Sequence, residues 1–155
     1  MTRTYVHRHR VTFEETNFTG NAYFAHYVRW QGHCREAFLS EHCPRVLDML
    51  HDGHALVTVS CGVDYLRECW PLDLIEMHMS LCDTTTNRIT MIFDYQRVAD
   101  AGPELAARGR QTVAFMRRRS TGLEPAPLPA QLIAALGPYT KRTGTHSPAP
   151  STAAD

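Results

Sequence analysis

The chain has 155 residues, enough for one core and too few for a second catalytic domain. Lys plus Arg and Asp plus Glu number 16 each, so the formal net charge is zero and no global basic field exists to gather nucleic acid. No stretch reaches the ~18 apolar residues of a spanning helix, and the start "MTRTYVHRHR" carries no apolar signal core, so we expect a soluble, cytoplasmic protein with no membrane partner.

Residues 5 to 13 alternate, with Tyr5, His7, His9, Val11 and Phe13 on one side and Val6, Arg8, Arg10 and Thr12 on the other, as in a half-buried strand. From Asn21 the period changes. Tyr23, Tyr27, Trp30, Cys34 and Phe38 recur at three- and four-residue steps, which predicts a helix from an Asn21 N-cap after Gly20 to about Ser40. A shorter helix follows, with Pro44 in its first turn and Gly53 closing it.

Strand patterns then take over. In residues 55 to 66, Ala55, Val57, Val59, Cys61, Val63 and Tyr65 oppose Leu56, Thr58, Ser60 and Asp64. Residues 72 to 82 alternate through Ile75, Met77, Met79 and Leu81, and residues 89 to 98 through Ile89, Met91, Phe93 and Tyr95, with a turn at 83 to 87 between them. After a second turn at 99 to 103, a last strand runs through Leu105, Ala107, Gly109, Gln111, Val113 and Phe115. Past Met116 come a charged exit and a proline-rich connector in which Ala130 to Leu136 can make a short helix. We expect one domain over residues 1 to 140 and a disordered tail over 141 to 155.

The five cysteines, Cys34, Cys43, Cys61, Cys69 and Cys82, are odd in number and include no C-x-x-C pair, so we expect reduced thiols and neither a disulfide framework nor a zinc knuckle. The nine histidines include pairs such as His7 with His9, His26 with His33 and His51 with His54, but no H-E-x-x-H; no metal is expected. One helix against five strands leaves sheet edges and a sheet face open, and a chain this short has little else to cover them. At least a homodimer follows as an expectation.

The corner "EETNFTGNAYFAHYVRW" resembles that of the hotdog-fold thioesterases of the 4-hydroxybenzoyl-CoA thioesterase class, whose pattern is an acid, any residue, Asp, two residues, Gly, a short apolar run, Asn-Tyr and Arg-Trp. Glu15 falls on the first acid, Asn17 on the catalytic Asp, Gly20 on the glycine, Tyr27 on the tyrosine and Arg29 with Trp30 on the Arg-Trp. Arg35 takes the place of the arginine ending the family's Glu-x-Ala-Arg stretch, although Gly32 stands where the glutamate would be. "DYLRECWPLDLIEM" (64 to 77) resembles the family's tyrosine, arginine and proline stretch, and the likeness spans roughly residues 5 to 118.

The resemblance implies an α+β hotdog fold, a long central helix wrapped by a five-stranded antiparallel sheet, dimeric or tetrameric. Asn at the acid's position with Arg on the helix resembles the thioesterases that serve iterative polyketide synthases making enediyne antibiotics. That subfamily implies hydrolysis of a (β-keto) polyenoyl thioester from an acyl carrier protein domain, the β-keto acid then decarboxylating to a conjugated polyene. No cofactor is implied, since the substrate carries its own phosphopantetheine. A general acyl-CoA thioesterase and a non-enzymatic acyl-binding protein are the alternatives.

The residues constrain the chemistry. An amide takes no proton at neutral pH, so Asn17 can hold a water or donate to a thioester oxygen, or it can simply make an Asx-type turn. Close backbone approach at Gly20 makes the Tyr23 and Phe24 N–H groups candidate oxyanion donors. Arg35 can steady an anion or pair with Glu36. Tyr27 can orient Asn17 or the acyl chain, or belong to the core; Thr58 can offer a hydroxyl. Glu15 is the nearest carboxylate for water activation, or a loop carboxylate turned the other way. Arg108, Arg110 and Arg117 to Arg119 form a basic cluster suited to an acidic carrier-protein domain, or a solvated strand end.

Overall fold

Alternating runs of this length bury one face only if they pair side by side against a common partner. A computed structural model describes residues 3 to 141, and in it the runs form an antiparallel sheet against the long helix α1 (Ala25–His42). The strands β1 (Tyr5–Arg10), β2 (His54–Tyr65), β3 (Leu74–Thr84), β4 (Arg88–Ala99) and β5 (Gly102–Arg119) lie in the order β1-β3-β4-β5-β2. Ile75, Met77 and Met79 of β3, Met91, Phe93 and Tyr95 of β4, and Val113 and Phe115 of β5 are buried facing Tyr27, Trp30, Cys34 and Phe38 of α1. Each large apolar side chain so buried contributes about 1.5–3 kcal/mol. Among the described residues no helix is long and apolar enough to cross a membrane.

Three departures from the sequence pattern follow from local geometry. The charged run at Arg117 to Arg119 continues β5, because a sixth strand, β6 (Gly122–Pro125), turns back to pair with Met116 to Arg119 beyond the last β4 partner, Ala114. The register of β2 against β5 slips between Thr58 and Ser60, leaving Val59 as the extra residue of a bulge. Strict alternation therefore fails there: Leu56 and Thr58 share the face of Phe115 and Val113, and after the bulge Cys61, Val63 and Tyr65 take over that face.

The third departure is the start of α1, which lies at Ala25 rather than after Asn21. Asn17 N–H donates to the Asn21 carbonyl and Gly20 N–H to the Asn17 carbonyl, closing a turn, while Ala22 N–H donates to Cys69 across the corner. These bonds keep Asn21 in a bend and Ala22 in a bridge to Thr16, outside the helix. Asn21 therefore caps nothing, and Tyr23, ahead of the helix, is 43% exposed while the rest of the aromatic stripe is buried. Gly20 has φ +95°, the left-handed region that favours glycine, and a Cβ there would stand in ordinary contact with Trp70 at 3.5 Å.

Two shorter helices close the end of the sheet. In α2 (Pro44–His51) Pro44 occupies the first turn, and Gly53 follows at φ +85°. In α3 (Ala130–Leu136) the buried pair Leu132 and Leu136 anchors a helix in contact with α2. Cys34, Cys43 and Cys69 are buried and all five thiols are free. Of the expected tail, all beyond Lys141 lies outside the described residues.

At the middle of β5, Gly109 clears the space between sheet and helix. A Cβ there would collide with the Gln31 side-chain nitrogen and stand 3.1 Å from the Tyr95 hydroxyl, which donates to the Tyr27 carbonyl at 2.7 Å. Gly109→Ala should destabilise the fold by about 1–3 kcal/mol through overpacking, read from the midpoint of a urea unfolding curve.

Candidate active site

The corner between β1 and α1 is held by the Glu15 carboxylate. Glu15 ends a 3₁₀ turn (Phe13–Glu15), is 5% exposed, and accepts the Thr12 N–H at 2.9 Å, the Trp30 indole N–H at 2.9 Å and His9 Nε2 at 2.8 Å. Burial by itself would raise this carboxyl; the Thr12, Trp30 and His9 hydrogen bonds overcome it and hold the group down at about 2. A carboxylate this weakly basic, with three donors on it, is an anchor. Of the two readings of Glu15, water activation or a loop carboxylate turned the other way, its three donors and its absence from the lining of the neighbouring cavity favour the second.

The next turn fixes Asn17. Its Oδ1 accepts the Thr19 N–H at 3.0 Å and lies 2.7 Å from the Thr19 hydroxyl, an Asx turn of the kind the sequence allowed. An N–H can only donate, so Oδ1 must face Thr19 and the amide nitrogen must face away. Among the described residues Nδ2 has no protein acceptor. Asn17 is thus set up to donate a hydrogen bond.

Backbone donors follow the same logic. The Tyr23 N–H, an expected oxyanion donor, is engaged by the Glu15 carbonyl at 2.8 Å and is unavailable. Among the described residues the N–H groups of Phe24 and Ala25 have no acceptor, because α1 begins there without a side-chain cap. The free pair is therefore Phe24 and Ala25. Tyr65 donates its hydroxyl to the Phe24 carbonyl at 2.8 Å, orienting the peptide group that carries the Ala25 N–H.

Asn17, Phe24 and Tyr65 border one cavity of about 330 Å³, lined also by Tyr27, Leu66 and Glu68 among others, and Ala25 follows Phe24 in the chain. Tyr27 forms its buried wall. Its ring is 2% exposed and meets Tyr65 edge-on at 5.0 Å; its hydroxyl lies against Cys69, and burial and that thiol push its ionisation far above the ordinary range. An aromatic wall with polar donors at one end suits an apolar ligand that carries a polar group.

Tyr65 and Glu68 were missed as candidates by residue-level reading, though both fall in "DYLRECW", which the resemblance had marked. Glu68 is exposed, accepts from Asn21 Nδ2 at 3.3 Å, and supplies a carboxylate to the cavity wall where Glu15 does not.

Arg35 and Thr58 are not brought to this cavity within one chain. Arg35 stands ten residues past Ala25, roughly 15 Å along α1, and donates to Gln111 Oε1 at 2.7 Å. Burial pulls its guanidinium below its ordinary value, opposed by Glu36, with which it makes no ion pair. Thr58 lies exposed beside the β2 bulge. The expected basic cluster divides: seven residues of strand, roughly 23 Å, separate Arg110 from Arg117, and Arg108 and Arg119 are paired with Asp94 and Glu124.

Residues 11–136 match the model of the thioesterase-like superfamily. Among solved structures, a dynemicin thioesterase, studied for induced-fit and allosteric effects on polyene binding, shares 55% identity over 89% of this chain and 98% of its own, with a TM-score of 0.87. An Asp-to-Asn variant of 4-hydroxybenzoyl-CoA thioesterase, complexed with 4-hydroxybenzoyl-CoA, gives 16% identity over 86% and 99% of the two chains and a TM-score of 0.76. A 1,4-dihydroxy-2-naphthoyl-CoA thioesterase from Synechocystis gives 17% over 86% and 96%, at 0.74. At these last two identities the likeness concerns the fold alone. No match was found among curated protein sequences.

The Glu15 anchor has a pH signature. Its carboxyl is depressed from 4.5 to about 2, so the stability it confers is complete above pH 4.5 and is lost as pH falls through about 2. Glu15→Gln should remove that part of the acid-unfolding profile and destabilise the protein by about 3 kcal/mol at pH 7, measured by chemical denaturation across pH 2 to 7.

Proposed function

The chain belongs to the thioesterase-like superfamily and is a thioester hydrolase, and we propose that it releases a (β-keto) polyenoyl chain from the acyl carrier protein domain of an iterative enediyne polyketide synthase. The observation that carries this reading is the 55% identity, over almost the whole of both chains, with a dynemicin thioesterase that binds a polyene. The aromatic cavity beside the free Phe24 and Ala25 N–H groups supports it.

In this mechanism the thioester carbonyl takes hydrogen bonds from Asn17 Nδ2 and the first-turn N–H groups, which strengthen as charge moves onto oxygen in the tetrahedral intermediate. Water attacks the carbonyl carbon, the C–S bond breaks, and the carrier leaves as its thiol. Asn17 is an amide, Glu15 is saturated and the one carboxylate on the cavity wall, Glu68, is exposed, so the site leans on electrostatics and positioning and suits a carbonyl already activated by a β-keto group. Arg35 stabilises the anion that forms, and the β-keto acid loses CO₂ after release.

Asn17 and Arg35 lie apart in one chain, so we propose that a second copy completes the site. The β2 edge runs twelve residues with one side unpaired among the described residues, and Val59 on it is 45% exposed, a surface that invites pairing with its own twin. The assembly is then a dimer or a pair of dimers, and the exposed Arg117 and Arg118 at the end of β5 offer charge to an acidic carrier domain.

In single-turnover hydrolysis of carrier-bound β-ketoacyl thioesters, Asn17→Ala and Arg35→Ala should each lower the rate about 100-fold. Unchanged rates in both would remove the assignment, and faster turnover of CoA esters than of carrier esters would favour a general acyl-CoA thioesterase. Mixing the two inactive variants should restore about a quarter of wild-type activity, since random reassembly leaves one intact composite site in half of the dimers. Light scattering should give two or four times the 17.5 kDa chain mass.

A further inference from the structure

Between α1 and the sheet, in a layer otherwise apolar, lie two buried amides. Gln31 is fully buried and Gln111 is 3% exposed. Packing alone does not call for them, since a buried amide must be satisfied or it costs stability, and aliphatic residues of the same size would fill the space. Both are satisfied, in one line. Gln31 Nε2 donates to the Gly62 carbonyl at 3.2 Å, Gln111 Nε2 lies 3.4 Å from Gln31 Oε1, and Arg35 Nη1 donates to Gln111 Oε1 at 2.7 Å.

The two ends of this line have no choice of role. A backbone carbonyl only accepts and a guanidinium only donates. One orientation of the amides satisfies both: Gln31 turns its nitrogen to Gly62 and its oxygen to Gln111, which then turns its nitrogen to Gln31 and its oxygen to Arg35. Flipping either sets donor against donor or oxygen against oxygen. Gly109, lacking a Cβ where the Gln31 nitrogen sits, is what lets the line pass.

The charge is the second half of the argument. Arg8, Arg97, Arg108 and Arg119 each meet a carboxylate, whereas Arg35, half-buried on α1, meets none among the described residues. Its partner is a neutral oxygen, which orients the guanidinium and leaves its charge whole. We infer that Gln111, aligned by Gln31, is a positioning residue that holds Arg35 as an uncompensated cation for the anion formed in thioester hydrolysis. This rests on the role proposed for Arg35 above.

The test uses the full-length protein and a β-ketoacyl thioester. Gln111→Glu keeps the size and the acceptor for Arg35 but loses the donor to Gln31 and brings a carboxylate to Arg35, so the protein should melt at a lower temperature and, assayed where it is still folded, lose about 100-fold in kcat with KM little changed. A folded Gln111→Glu protein with wild-type kcat overturns the inference. As a second measure, guanidinium ion should rescue Arg35→Ala when Gln111 is present and fail to rescue Arg35→Ala/Gln111→Leu; equal rescue of both overturns it as well. If Arg35→Ala itself is fully active, the role of Arg35 fails and this inference with it. If Arg35→Ala is impaired while Gln111→Glu is not, only the positioning role falls.

Discussion

The Glu15 carboxylate ties the end of β1, through His9, to the second turn of α1, through Trp30, and receives the Thr12 N–H between them. Everything at the candidate site inherits its place from that contact. Because the carboxylate fixes the corner, the Glu15 carbonyl is in position to take the Tyr23 N–H, and the helix can begin only afterwards, with Phe24 and Ala25 left as unengaged donors. The carboxylate that the sequence offered either for water activation or as a loop acid turned the other way is thus what leaves these backbone amides without an acceptor.

The same division of labour recurs along α1. Its buried apolar stripe holds the helix on the sheet, while Gln31 and Arg35, one turn apart, carry a polar line through the packed layer. A polar line in such a layer is stable only when every member is satisfied. Satisfying it required a residue without a side chain at Gly109 and an acceptor at Gly62. The helix thus presents donors at its start and a cation further along, with roughly three turns between them, a spacing one chain does not close.

Much of the architecture was legible in the residues. The β3 and β4 faces, Pro44 and Gly53 about α2, and the Ala130–Leu136 helix all follow from period and turn chemistry, and the structure has them where those rules put them. The start of α1 was not legible, because Asn21 has the chemistry of a cap and its displacement comes from Cys69, 48 positions on. The β2 bulge was hidden for a similar reason: alternation reads as continuous until a partner strand shows where it slips. Among site residues, Asn17 was found by its place in the family pattern, and Tyr65 matters only because its hydroxyl reaches Phe24 across the corner.

The sequence by itself determined which faces are apolar, where most of the chain turns, and that no carboxylate stands where the related enzymes place theirs, since these depend on neighbours within a few residues. Tertiary structure alone decided which N–H groups remain free, that Glu15 is saturated, and that Arg35 meets a neutral oxygen rather than a carboxylate. Those properties depend on which donor meets which acceptor, between residues from 3 to 80 positions apart, and a hydrogen bond is formed by position rather than by residue type.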